Sequence, residues 1–142
     1  MQEKLSPLDL SFFNLDTENT HQAISLFCHL ECYPETTALK NKVIELTETF
    51  PRLKKKIVTT TGFHWTEDPE FKLENHLEFI DLTNEITDEV LKDQASKSFS
   101  QKLALNLPLW KIIVIGNPAK PELPAVLLIK AHHVLTDGLA LR

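Results

Sequence analysis

Glycine is scarce in this sequence, with three residues in 142, and no two of them stand close together. A phosphate-cradling loop needs closely spaced glycines so that backbone N–H groups can approach the anion, which excludes a nucleotide loop of the usual kind. The Gly-x-Ser-x-Gly turn that exposes a serine nucleophile is also missing. Positive charge is not in excess: fifteen basic residues face twenty acidic ones, for a net charge of -5. That balance argues against nucleic acid as a partner, which calls for a strongly basic footprint. No apolar run approaches the roughly 18 to 20 residues needed to cross a bilayer, and Glu3 and Lys4 do not fit the start of a secretory leader. The expected compartment is the cytoplasm, with a peripheral stay on a membrane or lipid-droplet surface left open.

Cysteine is limited to Cys28 and Cys32 in "AISLFCHLEC". Ile24, Leu26, Cys28, Leu30 and Cys32 alternate with a mixed face, the period of a half-buried strand. Four residues of strand cover about 13 Å, too far for these two sulfurs to bond to each other. They are expected to be buried structural thiols.

What is present is ordinary globular material, 42% hydrophobic and 25% charged, at a length that suits one domain. After a turn-like opening, "LSPLDLSFFNLDTENT", a strand is predicted over 22–32. Pro34 is placed to start a helix, and Leu39, Val43, Leu46 and Phe50 recur at helical spacing, predicting an amphipathic helix over 35–49 that Pro51 ends. "RLKKKIVTTTGFHW" reads as a hairpin turning near Gly62, with Arg52, Lys54 and Lys56 on one strand face, and "HLEFIDL" as a further strand. Thr87 caps a second helix whose first turn carries Asp88 and Glu89 and whose apolar stripe is Val90, Leu91, Ala95, Phe99 and Leu103. "LWKIIVIG" and "AVLLIKAHH" are strong closing strands. Without repeats or internal linkers, the chain is expected to form one α+β domain of sheet and helices.

The last strand runs into "AHHVLTDG". If it stays extended, Leu127, Ile129, Ala131 and His133 share one face, and Val126, Leu128, Lys130 and His132 the other. The two histidines then point in opposite directions, which disfavours a metal site built from His132, His133 and Asp137. Asp137 returns towards them only if the chain turns, and Gly138 would tolerate such a turn. The plain alternative is a satisfied histidine at a strand end followed by an Asp-Gly turn.

"HHVLTDG" resembles the His-His-x-x-x-Asp-Gly motif of the acyltransferase superfamily that includes chloramphenicol acetyltransferase, carnitine acyltransferases and peptide-synthetase condensation domains. Within it, "LSPLDLSFFNLD" looks like the opening of the wax ester synthase/diacylglycerol acyltransferase family. "FPRLKKK" stands at its Pro-x-x-Arg element, "HWTEDPEFKLENH" resembles its Trp-x-x-Asp-x-x-Phe segment, and "PLW" at 108–110 recurs before the penultimate strand. The sequence departs from the family in carrying Lys54, Lys55 and Lys56 where arginine is usual. It also carries Lys102, Leu103, Ala104 and Leu107 ahead of "PLW", and both departures bear on the substrate subclass.

The resemblance implies a chloramphenicol acetyltransferase-like two-layer sandwich, a mixed sheet with helices, as the first of two such domains facing each other across a tunnel. Residues 1–142 would be the N-terminal domain, with the C-terminal half of the same enzyme as its partner. It implies His133 as the general base that takes the proton of a lipid alcohol as that alcohol attacks the thioester of an acyl-CoA. An alcohol does not ionise at neutral pH, and an imidazole suits proton removal during attack. His132, Asp137 and Gly138 would be supporting motif residues, Asp137 pairing with an arginine and Gly138 keeping the tunnel clear. No resident cofactor or metal is implied; acyl-CoA is a substrate. Three functions remain open: an acyl-CoA-dependent O-acyltransferase acting on fatty alcohols or diacylglycerol, a condensation-type domain using carrier-protein thioesters, and a catalytically silent scaffold. "RLKKK" is either a solvated edge or a contact for lipid headgroups or CoA phosphates.

Overall fold

The computed structural model describes residues 3–18 and 20–135. A short strand β1 (Glu3–Lys4) leads into helix α1 (Pro7–Leu15), where a turn-like segment was expected. The reason is a reciprocal N-terminal cap. The Ser6 hydroxyl accepts from the Asp9 N–H at 3.1 Å and the Asp9 carboxylate accepts from the Ser6 N–H at 3.3 Å, with Pro7 at the first helical position.

Strand β2 (Ala23–Leu30), helix α2 (Thr36–Thr49) and a 3-10 turn (Pro51–Lys54) follow. Glu35, not Pro34, opens α2, its carboxylate accepting from the N–H groups of Thr37 and Ala38. Strands β3 (Lys55–Val58) and β4 (His64–Glu67) form the expected hairpin, and Gly62 supplies a positive φ of 96° in its turn. Strand β5 (Leu77–Asp81), helix α3 (Asp88–Ser100), strand β6 (Trp110–Gly116) and strand β7 (Ala125–His132) complete the described elements. None of the described helices is long and apolar enough to cross a membrane.

The main sheet has the order β2-β7-β6-β5, antiparallel except for the β5–β6 pair, and β1-β4-β3 form a smaller antiparallel sheet. The strands fit the α+β expectation: β6 and β7 are apolar on both faces because both faces are covered. On one face, Trp110, Ile112 and Val114 pair in register with Ala131, Ile129 and Leu127, and pack with Val43 of α2 and with Ile57 and Trp65 of the small sheet. On the other, Lys130 is buried and donates to the backbone carbonyls of Ser98 and Gln101 at the end of α3. A cation is stabilising at that helix end, where the last carbonyls lack partners.

Four expectations need correcting. The Ile24 face of β2 is covered only in its second half: Ile24 and Leu26 are 44% and 59% exposed, with Ser25 and Phe27 half-buried, whereas Cys28 and Leu30 are half-buried and His29 opposite them is exposed. β2 is an edge strand, and its first half carries Ile24 and Leu26 uncovered by the described residues. Cys28 is only half-buried, and Cys32, beyond the strand, is exposed; both are free thiols. In α3, Phe99 is 66% exposed and Ser98 is the buried residue, because the helix turns Ser98 towards Ser25 and Lys130. Arg52 and Lys54 lie in the 3-10 turn that follows α2 and share no strand face with Lys56.

Each side chain of the basic run meets a carboxylate of this chain. Arg52 lies 2.5 Å from Glu3 and 4.9 Å over the Trp65 ring, Lys55 meets Glu3, Lys54 meets Glu48, and Lys56 meets Asp68.

Candidate active site

The end of β7 is held from both sides. The His132 N–H donates to Leu109 O at 3.0 Å, and the His133 N–H donates to Gln22 O at 2.7 Å. The strand stops at His132, and residues 133–135 are already helical. The extended strand on which the expected alternation depends thus ends one residue before His133. Val134 and Leu135 anchor that turn, both essentially buried in the core.

The surroundings of the two histidines differ. His132 is 1% exposed. Its Nδ1 accepts the Val134 N–H at 3.1 Å, and its Nε2 lies 2.9 Å from Asp16 Oδ2. A backbone N–H can only donate, so Nδ1 is the bare nitrogen and Nε2 carries the hydrogen that Asp16 accepts. Burial pushes the His132 imidazole below its ordinary pKa of 6.5, opposed by the Asp16 carboxylate and reinforced by His133 and Lys102. It is the neutral tautomer that fits this site. The second oxygen of Asp16 faces Lys102 Nζ at 3.5 Å, an ion pair without hydrogen-bond geometry.

His133 is half-buried, and its ring stacks on Phe12, with centroids 5.2 Å apart and planes inclined by 18°. Phe13 is tilted against His132 at 6.5 Å. Helix α1 and its C-terminal cap residue Asp16 thus supply three of the side chains around the histidine pair. Neither Phe12, Asp16 nor Lys102 was expected here. The signal available was the opening "LSPLDLSFFNLD" itself, but only folding shows that it meets the other end of the sequence.

Asp137 and Gly138 lie outside the described residues. Among the described residues no group of three His, Cys, Asp or Glu side chains could hold a metal ion, and both ring nitrogens of His132 are engaged within the protein.

The other segments singled out in the sequence converge a short way off as support. His76 is buried between the rings of Phe71 and Trp110, at 5.2 and 4.7 Å, and its Nδ1 donates to Trp110 O at 2.8 Å. Trp110 Nε1 donates to Leu53 O at 2.8 Å, tying "PLW" to the turn that carries Arg52. Asp68 accepts from the Glu70 N–H and pairs with Lys56. Leu109, beside Trp110, is the residue whose carbonyl receives His132.

Residues 5–141, nearly the whole sequence, match the wax ester synthase/diacylglycerol acyltransferase catalytic domain. The chain belongs to that family. Among wax ester synthase/diacylglycerol acyltransferase relatives, a putative diacylglycerol O-acyltransferase of Mycobacterium tuberculosis is 22% identical over 143 residues, covering 97% of this chain and 29% of the relative. The wax ester synthase/diacylglycerol acyltransferase from Marinobacter aquaeolei VT8 has the same fold, with a TM-score of 0.76 at 22% identity over 97% of this chain and 36% of that one. The fold also extends to a starter condensation domain of rhizomide synthetase, solved with C8-CoA and Leu-SNAC, with a TM-score of 0.72 at 13% identity over 94% of this chain and 31% of that one. The chain thus spans under a third of the length of the first family relative and has the expected chloramphenicol acetyltransferase-like fold.

Proposed function

We propose that this chain is the N-terminal domain of an O-acyltransferase that moves a long-chain acyl group from acyl-CoA to a fatty alcohol or diacylglycerol, with His133 as the general base. The commitment of His132 removes it as the base, and the place of His133 as the second histidine of the His-His-x-x-x-Asp-Gly motif in a chain of this family carries the choice of His133. Both nitrogens of His132 are used inside the protein, so taking a proton from substrate would break the contact with Val134. A base has to present a bare nitrogen within hydrogen-bond reach of the reacting hydroxyl.

In the proposed reaction, His133 removes the alcohol proton as the alcohol oxygen bonds to the thioester carbon. The C–S bond then breaks, and the imidazolium returns the proton to the departing CoA thiolate, leaving an ester and CoA. No resident cofactor is needed, and the direct transfer holds both substrates at once. Positioning two substrates accounts for much of such an enzyme's rate. A second domain of similar fold would supply the facing wall of the tunnel, a reading supported by the chain's 29% share of its relative's length. Within that assembly Asp137 would steady the motif by pairing with an arginine, and Gly138 would leave room for substrate. A lipid acceptor also favours a cytoplasmic enzyme working at the surface of a membrane or lipid droplet.

The likeness to a starter condensation domain solved with C8-CoA and Leu-SNAC supports a second reading, a condensation-type domain using carrier-protein thioesters, in which the acceptor is the amine of an aminoacyl thioester. The full-length protein given palmitoyl-CoA with hexadecanol or diolein separates the two. Ester formation with stoichiometric CoA release supports the first, whereas amide formation on an added aminoacyl thioester, with neither alcohol consumed, supports the second.

A further inference from the structure

We propose that Asp16, backed by Lys102, is a positioning residue that sets the orientation of His133 through His132 and the Val134 N–H. This rests on the reading of His133 as the base.

The backbone on either side of His133 is pinned by three hydrogen bonds: the His132 N–H to Leu109 O, the His133 N–H to Gln22 O, and the Val134 N–H to His132 Nδ1. The first two belong to the sheet and its edge. The third depends on a side chain, and it exists only while Nδ1 of His132 is the bare nitrogen. Asp16 enforces that state, because a carboxylate accepts and cannot donate, so Nε2 must carry the hydrogen. Without an acceptor at Nε2, the imidazole could carry its hydrogen on Nδ1 instead, and two donors would then face each other at Val134.

The carboxylate is matched to this site by charge as well as shape. Its side chain is 3% exposed, and Lys102, itself 29% exposed, is the cation that pairs with it. Asparagine would fit the same volume. Its amide would either turn its NH2 towards His132 Nε2–H or present it to the Lys102 ammonium, and both arrangements set donor against donor.

Helix α1 couples the two halves of the arrangement. Asp16 is its C-terminal cap, its own N–H donating to Phe13 O at 3.3 Å, and Phe12, one turn earlier, stacks on the His133 ring. The element that fixes the backbone beside His133, through His132, also fixes the plane of its ring. Small displacements of a base have large consequences, since a shift of about 1 Å can cost on the order of a hundredfold in rate.

The test compares Asp16→Asn, Asp16→Glu, Lys102→Met and His133→Ala in the full-length protein, following CoA release from palmitoyl-CoA with hexadecanol and the melting temperature. Asp16→Asn is expected to lower kcat on the order of a hundredfold while KM for palmitoyl-CoA stays within about twofold. Asp16→Glu should recover a large part of kcat, and Lys102→Met should fall between Asp16→Asn and the natural protein. A folded Asp16→Asn protein with unchanged kcat overturns the proposal, as does a rise in KM at constant kcat or a failure of Asp16→Glu to exceed Asp16→Asn. If Asp16→Asn unfolds at the assay temperature, Lys102→Met decides: a fall in kcat alone supports the relay, and unchanged kcat overturns it. Full activity in His133→Ala sinks the reading of the base and the relay with it. An inactive His133→Ala beside a fully active Asp16→Asn sinks the relay alone.

Discussion

Phe12 and His133 lie face to face, one from the first helix and the other just past the last strand, with ring centroids 5.2 Å apart. Stacked aromatic pairs contribute about 0.5–1.5 kcal/mol beyond their buried area. Replacing Phe12 with leucine keeps apolar bulk but frees the imidazole plane. We expect Phe12→Leu in the full-length protein to lower kcat by up to about tenfold, the rate equivalent of that energy, with little change in acyl-CoA affinity. An unchanged kcat would mean that the stack does not orient the ring.

The two histidines should separate cleanly. His133→Ala is expected to remove on the order of a hundredfold to ten-thousandfold of the rate and leave the acyl-CoA dissociation constant nearly intact. His132→Ala should act through lost support, with a lower melting temperature accompanying any loss of rate, because it leaves a buried Asp16 carboxylate and the Val134 N–H without partners. Near-normal turnover by His133→Ala, with His132→Ala inactive but fully stable, would reverse the assignment.

Stability should fall on the acid side through His132 and His76. Burial holds both imidazoles below their ordinary 6.5 in the folded protein, with Asp16, Lys102 and His133 facing the first and Asp68 and Lys111 near the second. Below that value the unfolded chain binds protons that the folded one refuses. The contribution is therefore complete above about pH 6.5 and is lost progressively as pH falls towards the lower folded values. The urea midpoint should be lower at about pH 5.5 than at about pH 7.5. An equal midpoint would show that these imidazoles are protonated in the native state.

Gly116 closes β6 where the Tyr33 ring crosses it. A Cβ there would stand 2.7 Å from Tyr33 Cδ2 and 3.1 Å from the Ala125 Cβ. Gly116→Ala should destabilise by about 1–3 kcal/mol, the usual cost of overpacking. Most of that loss should vanish in a Tyr33→Ala background. A penalty of the same size in both backgrounds would place its origin in the strand backbone.

The elements legible in the sequence were those with a local cause. β6 and β7 announced themselves by length and branched residues, α3 by Thr87 and its acidic first turn, and the β3–β4 hairpin by Gly62. Helix α1 was missed because its signal was a cap and not a period: Ser6, Pro7 and Asp9 decide it, while its apolar residues follow no clear stripe. Along β2 the covered side changes between Leu26 and Cys28, which alternation cannot show because it says that two faces differ and not which is covered. At the site, the histidine pair was legible and its setting was not. Asp16 and Lys102 are ordinary charged residues in the sequence, and their importance arises from a register that pairs Ala23 with His132.

That register also bears on the order of events as the protein is made. Strand β2 leaves the ribosome early, and its partner in the sheet, β7, is synthesised about a hundred residues later, which at ordinary elongation rates is several seconds. Throughout that interval Ile24, Leu26 and Phe27 have no sheet to join, a hazard for a strand with apolar residues on both faces. Pairing strands so far apart in sequence also carries a large loop-closure cost, which slows folding. The histidines arrive with the strand whose pairing ends the wait.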